Sequence, residues 1–295
     1  MHPPILKKYP AIVEGKQKAG YLDKESLSKK LDKAREIFEC CHFCERRCAV
    51  NRANGEKGYC RVTNARVASE FIHPGEEEVL VPSYTVFFSG CTFACQYCQN
   101  WDISQYPRAG RYIEPGALAG MISKRVRQSV KNVNWVGGDP TPNIPYILET
   151  LMKCSENIAQ VWNSNMYLSG ESLDILRGVI DLYLTDFKYG NSRCAKRLSD
   201  VDNYFEIITR NHKIISGEDI IIRHLVLPNH LECCTYPALE WIAENLAGKS
   251  VMVNIMAQYR PEWRAKNFED INRKIDPKEF YKAVKFADDL GINLC

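Results

Sequence analysis

Six short apolar runs that alternate with helical stretches constrain the fold of this chain more than any other feature. Tyr84–Phe88, Val133–Val136, Gln160–Trp162, Leu182–Phe187, Ile220–Leu227 and Val251–Met256 have the length and composition of buried strands. Helical stretches lie near 115–130, 143–155, 171–180, 191–213, 235–247 and 277–289. Strand and helix in strict alternation imply a parallel sheet with helices outside it. Six units fall short of the eight that close a full barrel. The pattern therefore predicts an α/β fold, a partial (β/α)6 barrel with parallel strands and its reactive loops gathered at one mouth.

The segment before the barrel is different. Residues 23–40 read as a helix, with Leu27, Leu31, Ala34 and Phe38 making one apolar stripe. The helix runs into Cys40-Cys41, and from there to about Glu78 the chain is loop-rich, with turn signals at Asn54-Gly55 and Pro74-Gly75. Nothing in that stretch supplies a core of its own, so a metal staple is expected. The chain divides accordingly into residues 1–79, a helix plus a small Cys-rich N-terminal module that binds metal, and 80–295, the barrel.

Thirteen cysteines in 295 residues need a reason. No apolar run approaches the ~20 residues of a membrane span, and Met1-His2-Pro3-Pro4 opens no signal-peptide core. A cytoplasmic location is expected, where a disulfide framework is not. Eight cysteines fall between positions 40 and 98 and read as metal ligands, whereas Cys154, Cys194, Cys233, Cys234 and Cys295 are scattered and read as small buried hydrophobes. A net charge of +3 without any Lys/Arg run gives no nucleic-acid signal.

Directly behind the first strand stands Cys91-Thr92-Phe93-Ala94-Cys95-Gln96-Tyr97-Cys98, a CxxxCxxC triplet. Three thiolates on one loop can ligate three irons of a cubane cluster and leave the fourth iron open. The spacing fits neither the four-thiolate cluster runs nor paired zinc cysteines. Cys41, Cys44, Cys48 and Cys60 form a second set that can close a four-thiolate site, for zinc or an auxiliary cluster, with Cys40 as a substitute for Cys41. Gly137-Gly138-Asp139-Pro140 ends the second strand, where glycines allow close backbone approach and a carboxylate can receive an ammonium. Asp186 and Lys188, two apart at the fourth strand's end, point to one face. Arg223-His224 and Gln258-Tyr259-Arg260-Pro261 are further candidate contacts for cofactor or substrate, although a lone His on an apolar strand is more often a core residue.

The triplet after the first strand, with its surroundings Phe87-Phe88-Ser89-Gly90 and Gln99-Asn100-Trp101-Asp102-Ile103-Ser104, resembles the radical S-adenosylmethionine (radical SAM) enzymes, in particular relatives of pyruvate formate-lyase activating enzyme. The resemblance covers residues 41–270. It implies a [4Fe-4S] cluster on Cys91, Cys95 and Cys98. It also implies reductive cleavage of S-adenosylmethionine to methionine and a 5′-deoxyadenosyl radical, and hydrogen abstraction from a substrate. It places Tyr97 near the adenine, Gly137, Gly138 and Asp139 at the cofactor's amino group, Asp186 and Lys188 near its methionyl end, and Asn100 as a further contact. Asn163-Ser164-Asn165 matches a segment whose Asp holds a cation in the activases; Asn163 lacks that charge. An electron donor such as a ferredoxin or flavodoxin, and a protein or peptide substrate, are the implied partners. The competing class is a non-catalytic iron–sulfur or zinc protein, which has no use for polar groups at successive strand ends. A dinucleotide or P-loop protein fails for want of its motif.

Overall fold

The computed structural model describes residues 5–75 and 77–295, so Met1–Pro4 of the N-terminal reading lie outside the described residues. The chain opens with helix α1 (Lys8–Val13) and helix α2 (Lys24–Glu39). Asp23 caps α2 by accepting from the Ser26 backbone N–H. The α2 stripe buries Leu27, Leu31, Ala34 and Ile37. Phe38, expected in that stripe, is partly buried against the core and also packs its ring under the Arg52 guanidinium at 4.4 Å.

Strand β1 (Val67–His73) follows, inside the stretch expected to be loop. It pairs antiparallel with β2 (Ser83–Phe88). The chain then alternates through α3 (Trp101–Ser104), α4 (Pro115–Val126), β3 (Asn132–Gly137), α5 (Ile144–Met152), β4 (Ala159–Ser164), α6 (Gly170–Leu176) and β5 (Leu182–Asp186). It continues with α7 (Ser192–Ser199), α8 (Tyr204–Ile214), β6 (Ile220–Leu225), α9 (Tyr236–Leu246), β7 (Val251–Met256) and α10 (Pro277–Asp289). The sheet order is β1-β2-β3-β4-β5-β6-β7, and the six strands from β2 to β7 are all parallel. The sheet is an unclosed partial barrel with β1 and β7 at its edges.

The six parallel strands are those expected. β2, β3 and β4 are buried almost throughout, as befits strands covered on both faces. At the end of the barrel away from the strands' carboxyl termini, α1 packs into place: Asp219 accepts from the Tyr9 backbone N–H at 2.8 Å, and Asn132 donates to the Tyr9 hydroxyl at 2.8 Å. The single helix expected over 191–213 is instead two. Asp200 (φ 52°) and Asn203 (φ 49°) take left-handed conformations between α7 and α8, which Asp and Asn tolerate better than most residues.

Candidate active site

At the carboxyl ends of the parallel strands lies a cavity of about 400 Å³, within the ~300–1,000 Å³ of small-molecule sites. Cys91, Cys95 and Cys98 all face it. So do Tyr97, Asn100, Gly137, Gly138, Asn163, Asp186, Lys188, Arg223 and Gln258. Residues from β2, β3, β4, β5, β6 and β7 thus converge on one space.

The loop carrying the triplet is fixed from several sides. Ala94 N–H donates to the Ser199 carbonyl at 3.0 Å and Gln96 N–H to the Leu198 carbonyl at 2.8 Å. Both carbonyls are at the last turn of α7, where helical partners run out. Each thiol has a neighbour that can donate to sulfur: Phe93 N–H to Cys91 at 3.3 Å, Ser199 Oγ to Cys95 at 2.9 Å, and Ser104 Oγ beside Cys98 at 3.2 Å. Burial pushes all three thiols up, Cys95 to about 11, while the Lys188 ammonium pulls Cys95 and Cys98 back. Desolvated thiols near one cation suit ligation to a metal cluster rather than free thiolate chemistry.

Lys188, two residues past the last residue of β5, pairs with Asp186 at 2.8 Å, so the two project together from the strand's end as expected. The pair is inside the mouth. Burial opposes the ammonium charge, but Asp186 and the nearby cysteines more than offset it and hold the pKa above its ordinary value. Arg223 faces the same cavity while bonding to Glu77 at 2.7 and 2.6 Å. His224 is a core residue: buried, held between the Phe187 carbonyl at 2.7 Å and Thr235 at 2.9 Å. Tyr97 lines the cavity but its hydroxyl is engaged with Tyr189 at 2.7 Å, and its ring packs edge-on against Tyr259.

Two expectations change on the geometry. Asp139 does not line the cavity. Its carboxylate is buried and accepts from Thr141 N–H at 2.9 Å and Asn165 N–H at 3.2 Å, so it ties the β3 end to the β4 end. Burial without a cation raises its pKa to about 6. The glycines before it serve backbone contact, not only ligand approach. A Cβ on Gly137 (φ 135°) would lie 2.1 Å from the Phe88 carbonyl oxygen, and one on Gly138 would lie 2.1 Å from that of Gly90. They let the β3 end press against the root of the cysteine loop.

The second cysteine set is assembled too. The thiols of Cys41, Cys48 and Cys60 all act on Cys44. Cys41 is buried beside them, whereas Cys40 is exposed. A Cβ on Gly58 would clash with Cys48 Sγ at 2.8 Å. Arg46 joins this set to the triplet, donating to the Thr92 carbonyl at 3.1 Å with its guanidinium 3.6 Å over the Tyr59 ring.

The model of the radical SAM superfamily matches residues 85–242, the stretch that runs from β2 through α9. The chain belongs to the radical SAM superfamily. Its members use a [4Fe-4S] cluster and S-adenosylmethionine and need an electron donor. The uncharacterized protein MJ0674 of Methanocaldococcus jannaschii is 50% identical over 280 residues, 93% of this chain and 82% of that protein. Streptococcus suis SuiB, solved bound to S-adenosylmethionine, aligns at a TM-score of 0.51 and 16% identity over 70% of this chain and 47% of SuiB. The chain therefore spans about half the length of SuiB. A radical SAM methyltransferase from Sphaerobacter thermophilus aligns at 0.50 and 13% identity, covering 73% of this chain and 66% of that one. At these identities the likeness to the solved structures is one of fold. No helix among the described residues is long and apolar enough to cross a membrane.

The donor set fits the family's cofactors. Three soft thiol ligands face one cavity, the choice of an iron–sulfur cluster. Polar groups of both charges stand around the remaining space, as a zwitterionic sulfonium needs.

Proposed function

We propose that this chain reductively cleaves S-adenosylmethionine at a cluster held by Cys91, Cys95 and Cys98 and abstracts hydrogen from a substrate, in the manner of the glycyl-radical activating enzymes. One observation carries the reading. The three triplet cysteines share their cavity with an ion pair, Asp186–Lys188, and with Asn163, Asn100 and Arg223 from other loops and strands. The bound cluster and cofactor would supply the one-electron chemistry. The protein's residues orient and shield. Asp186 offers a carboxylate to the cofactor's ammonium, Lys188 and Arg223 attract its carboxylate, and the Gly137–Gly138 backbone borders the same space. Asn163, uncharged, offers an amide that can both donate and accept, which fits a ligand contact better than a cation site.

The Cys41, Cys44, Cys48 and Cys60 set is proposed to hold a second iron–sulfur cluster in the 1–79 module carried on the 80–295 barrel. One zinc with Zn–S bonds of ~2.3 Å would draw its sulfurs to roughly 3.8 Å of one another. Among the described residues, three potential ligand atoms close to within 4.8 Å of each other only at Cys194, His230 and Cys233. The wider spacing of the N-terminal set supports a cubane. A ferredoxin or flavodoxin as electron donor, a protein or peptide as substrate and a cytoplasmic setting complete the proposal, and thirteen free cysteines are in keeping with a reducing compartment.

The test is spectroscopic. In the anaerobically reconstituted and reduced protein, adding S-adenosylmethionine should change the electron paramagnetic resonance signal of the triplet's cluster, and Asp186→Ala should weaken that response. A signal that S-adenosylmethionine leaves untouched contradicts the reading.

A further inference from the structure

The scattered cysteines are not all isolated fillers. Cys194, in the first turn of α7, has its sulfur 3.9 Å from that of Cys233, which in turn is 3.8 Å from that of Cys234. The last two lie in the π-turn Leu231–Thr235 between β6 and α9. One ligand atom each from Cys194, His230 and Cys233 lies within 4.8 Å of the other two. Asn191 Nδ2 lies 3.9 Å from the Cys234 sulfur, so one amide spans the cluster. Sulfur separations of 3.8 and 3.9 Å are the edge lengths of a tetrahedron with ~2.3 Å metal–sulfur bonds.

Nearby groups prepare the site. His230 Nδ1 lies 2.8 Å from the Pro228 carbonyl, to which it donates, so Nε2 carries the lone pair. Arg197 Nη2 lies 3.3 Å from that nitrogen and is also ion-paired with Asp270. Turning wholly to Asp270 would free the lone pair and leave a cation beside a thiolate-rich centre. Asn191 Nδ2 donates to the Cys233 carbonyl at 2.5 Å and sits 3.4 Å from Cys194 Sγ. A Cβ on Gly190 would lie 2.6 Å from the Cys234 carbonyl oxygen, so the absence of a side chain there is what lets the two loops meet.

We propose that Cys194, His230 and Cys233, whose ligand atoms already stand within 4.8 Å of one another, bind one zinc ion apart from both N-terminal cysteine groups, with the neighbouring Cys234 turning in as the fourth ligand. Three thiols give up their protons to solvent and the neutral imidazole binds through Nε2, a Cys₃His set that closes all four positions. A closed site is structural. It clamps the first turn of α7 to the β6–α9 turn, and the last turn of α7 is what holds the triplet loop through Leu198, Ser199 and Cys95. The metal would thereby brace the cluster-binding loop from the far end of one helix. The proposal stands independently of which substrate the enzyme uses.

Metal analysis of the anaerobically purified full chain tests it. Cys194→Ser and Cys233→Ser should each lower zinc by one equivalent per chain while iron from the N-terminal cysteine groups remains. Cobalt(II) added to chelator-treated wild type should give the absorption of a tetrahedral thiolate site that both variants lack. Should the variants fold poorly, the wild type answers alone: iodoacetamide should label the half-buried Cys233 slowly with zinc present and quickly after chelation. Zinc content unchanged in both variants, labelling indifferent to zinc, or a Cys194–Cys233 disulfide in the native peptide map would overturn the proposal.

Discussion

Ser199 Oγ donates a hydrogen bond to Cys95 Sγ at 2.9 Å across 104 residues of sequence. Ser199 stands at the break between α7 and α8, and its oxygen lies 2.6 Å from the Tyr189 hydroxyl, itself 2.7 Å from that of Tyr97. With Ser199 donating to sulfur, Tyr189 donates to Ser199 and Tyr97 to Tyr189. The relay ends on a cysteine proposed to hold the cluster.

Hydrogen bonds to ligand sulfur stabilise the reduced, more negative cluster. Ser199→Ala should therefore lower the reduction potential of the triplet's cluster by about 50 mV, near a tenfold change for one electron. A redox titration followed by electron paramagnetic resonance reads this directly. An unaltered potential with iron content intact would show that this bond does not tune the cluster.

Asp139 and Asp186 should part company. Asp139→Ala leaves two buried backbone N–H groups without acceptors, a loss of about 2–4 kcal/mol of stability, seen in anaerobic urea unfolding. Asp186→Ala removes a partly exposed carboxylate. It leaves Lys188 without its carboxylate partner and should cost less stability than Asp139→Ala, while weakening S-adenosylmethionine binding by roughly one to two decades, the worth of one charge-assisted hydrogen bond. Calorimetric titration checks the second half. The reverse pattern would return Asp139 to direct cofactor contact.

The prediction for pH rests on His212. It is fully buried between the Thr185 hydroxyl and the Ile208 carbonyl, each at 2.8 Å, and burial lowers its pKa to about 4. A pKa depressed in the folded state means stability that is complete above the unfolded value near 6.5 and is lost as pH falls toward 4. The loss is at most about 3 kcal/mol. Unfolding of His212→Gln at pH 7 and pH 5 should show a shallower decline than wild type, and equal declines would remove His212 from the acid response.

Much of this was legible in sequence because parallel strands covered on both faces are nearly continuous apolar runs, and β2 to β7 carry them. β1 was not: only Val67 of it is buried, half-buried and exposed residues follow, and only pairing with β2 makes it a strand. The α7–α8 break is written in Asp200 and Asn203, two residues tolerant of positive φ inside an otherwise helical pattern. The candidate site was readable where its residues are local, as in the triplet, or two apart at a strand's end, as with Asp186 and Lys188. The part Asp139 plays depends on Asn165, 26 residues away, and the gathering of Cys194 with Cys233 spans 39. Spacing within a motif carries no record of contacts that only the fold creates.

The most direct measurement of the central claim is product analysis. Reconstituted with iron and sulfide, reduced anaerobically and given S-adenosylmethionine, the protein should release 5′-deoxyadenosine and methionine in equal amounts. The Cys91→Ala, Cys95→Ala and Cys98→Ala variants should release neither. Turnover that survives all three substitutions, or no 5′-deoxyadenosine from wild type carrying a full and reducible cluster, would contradict the account.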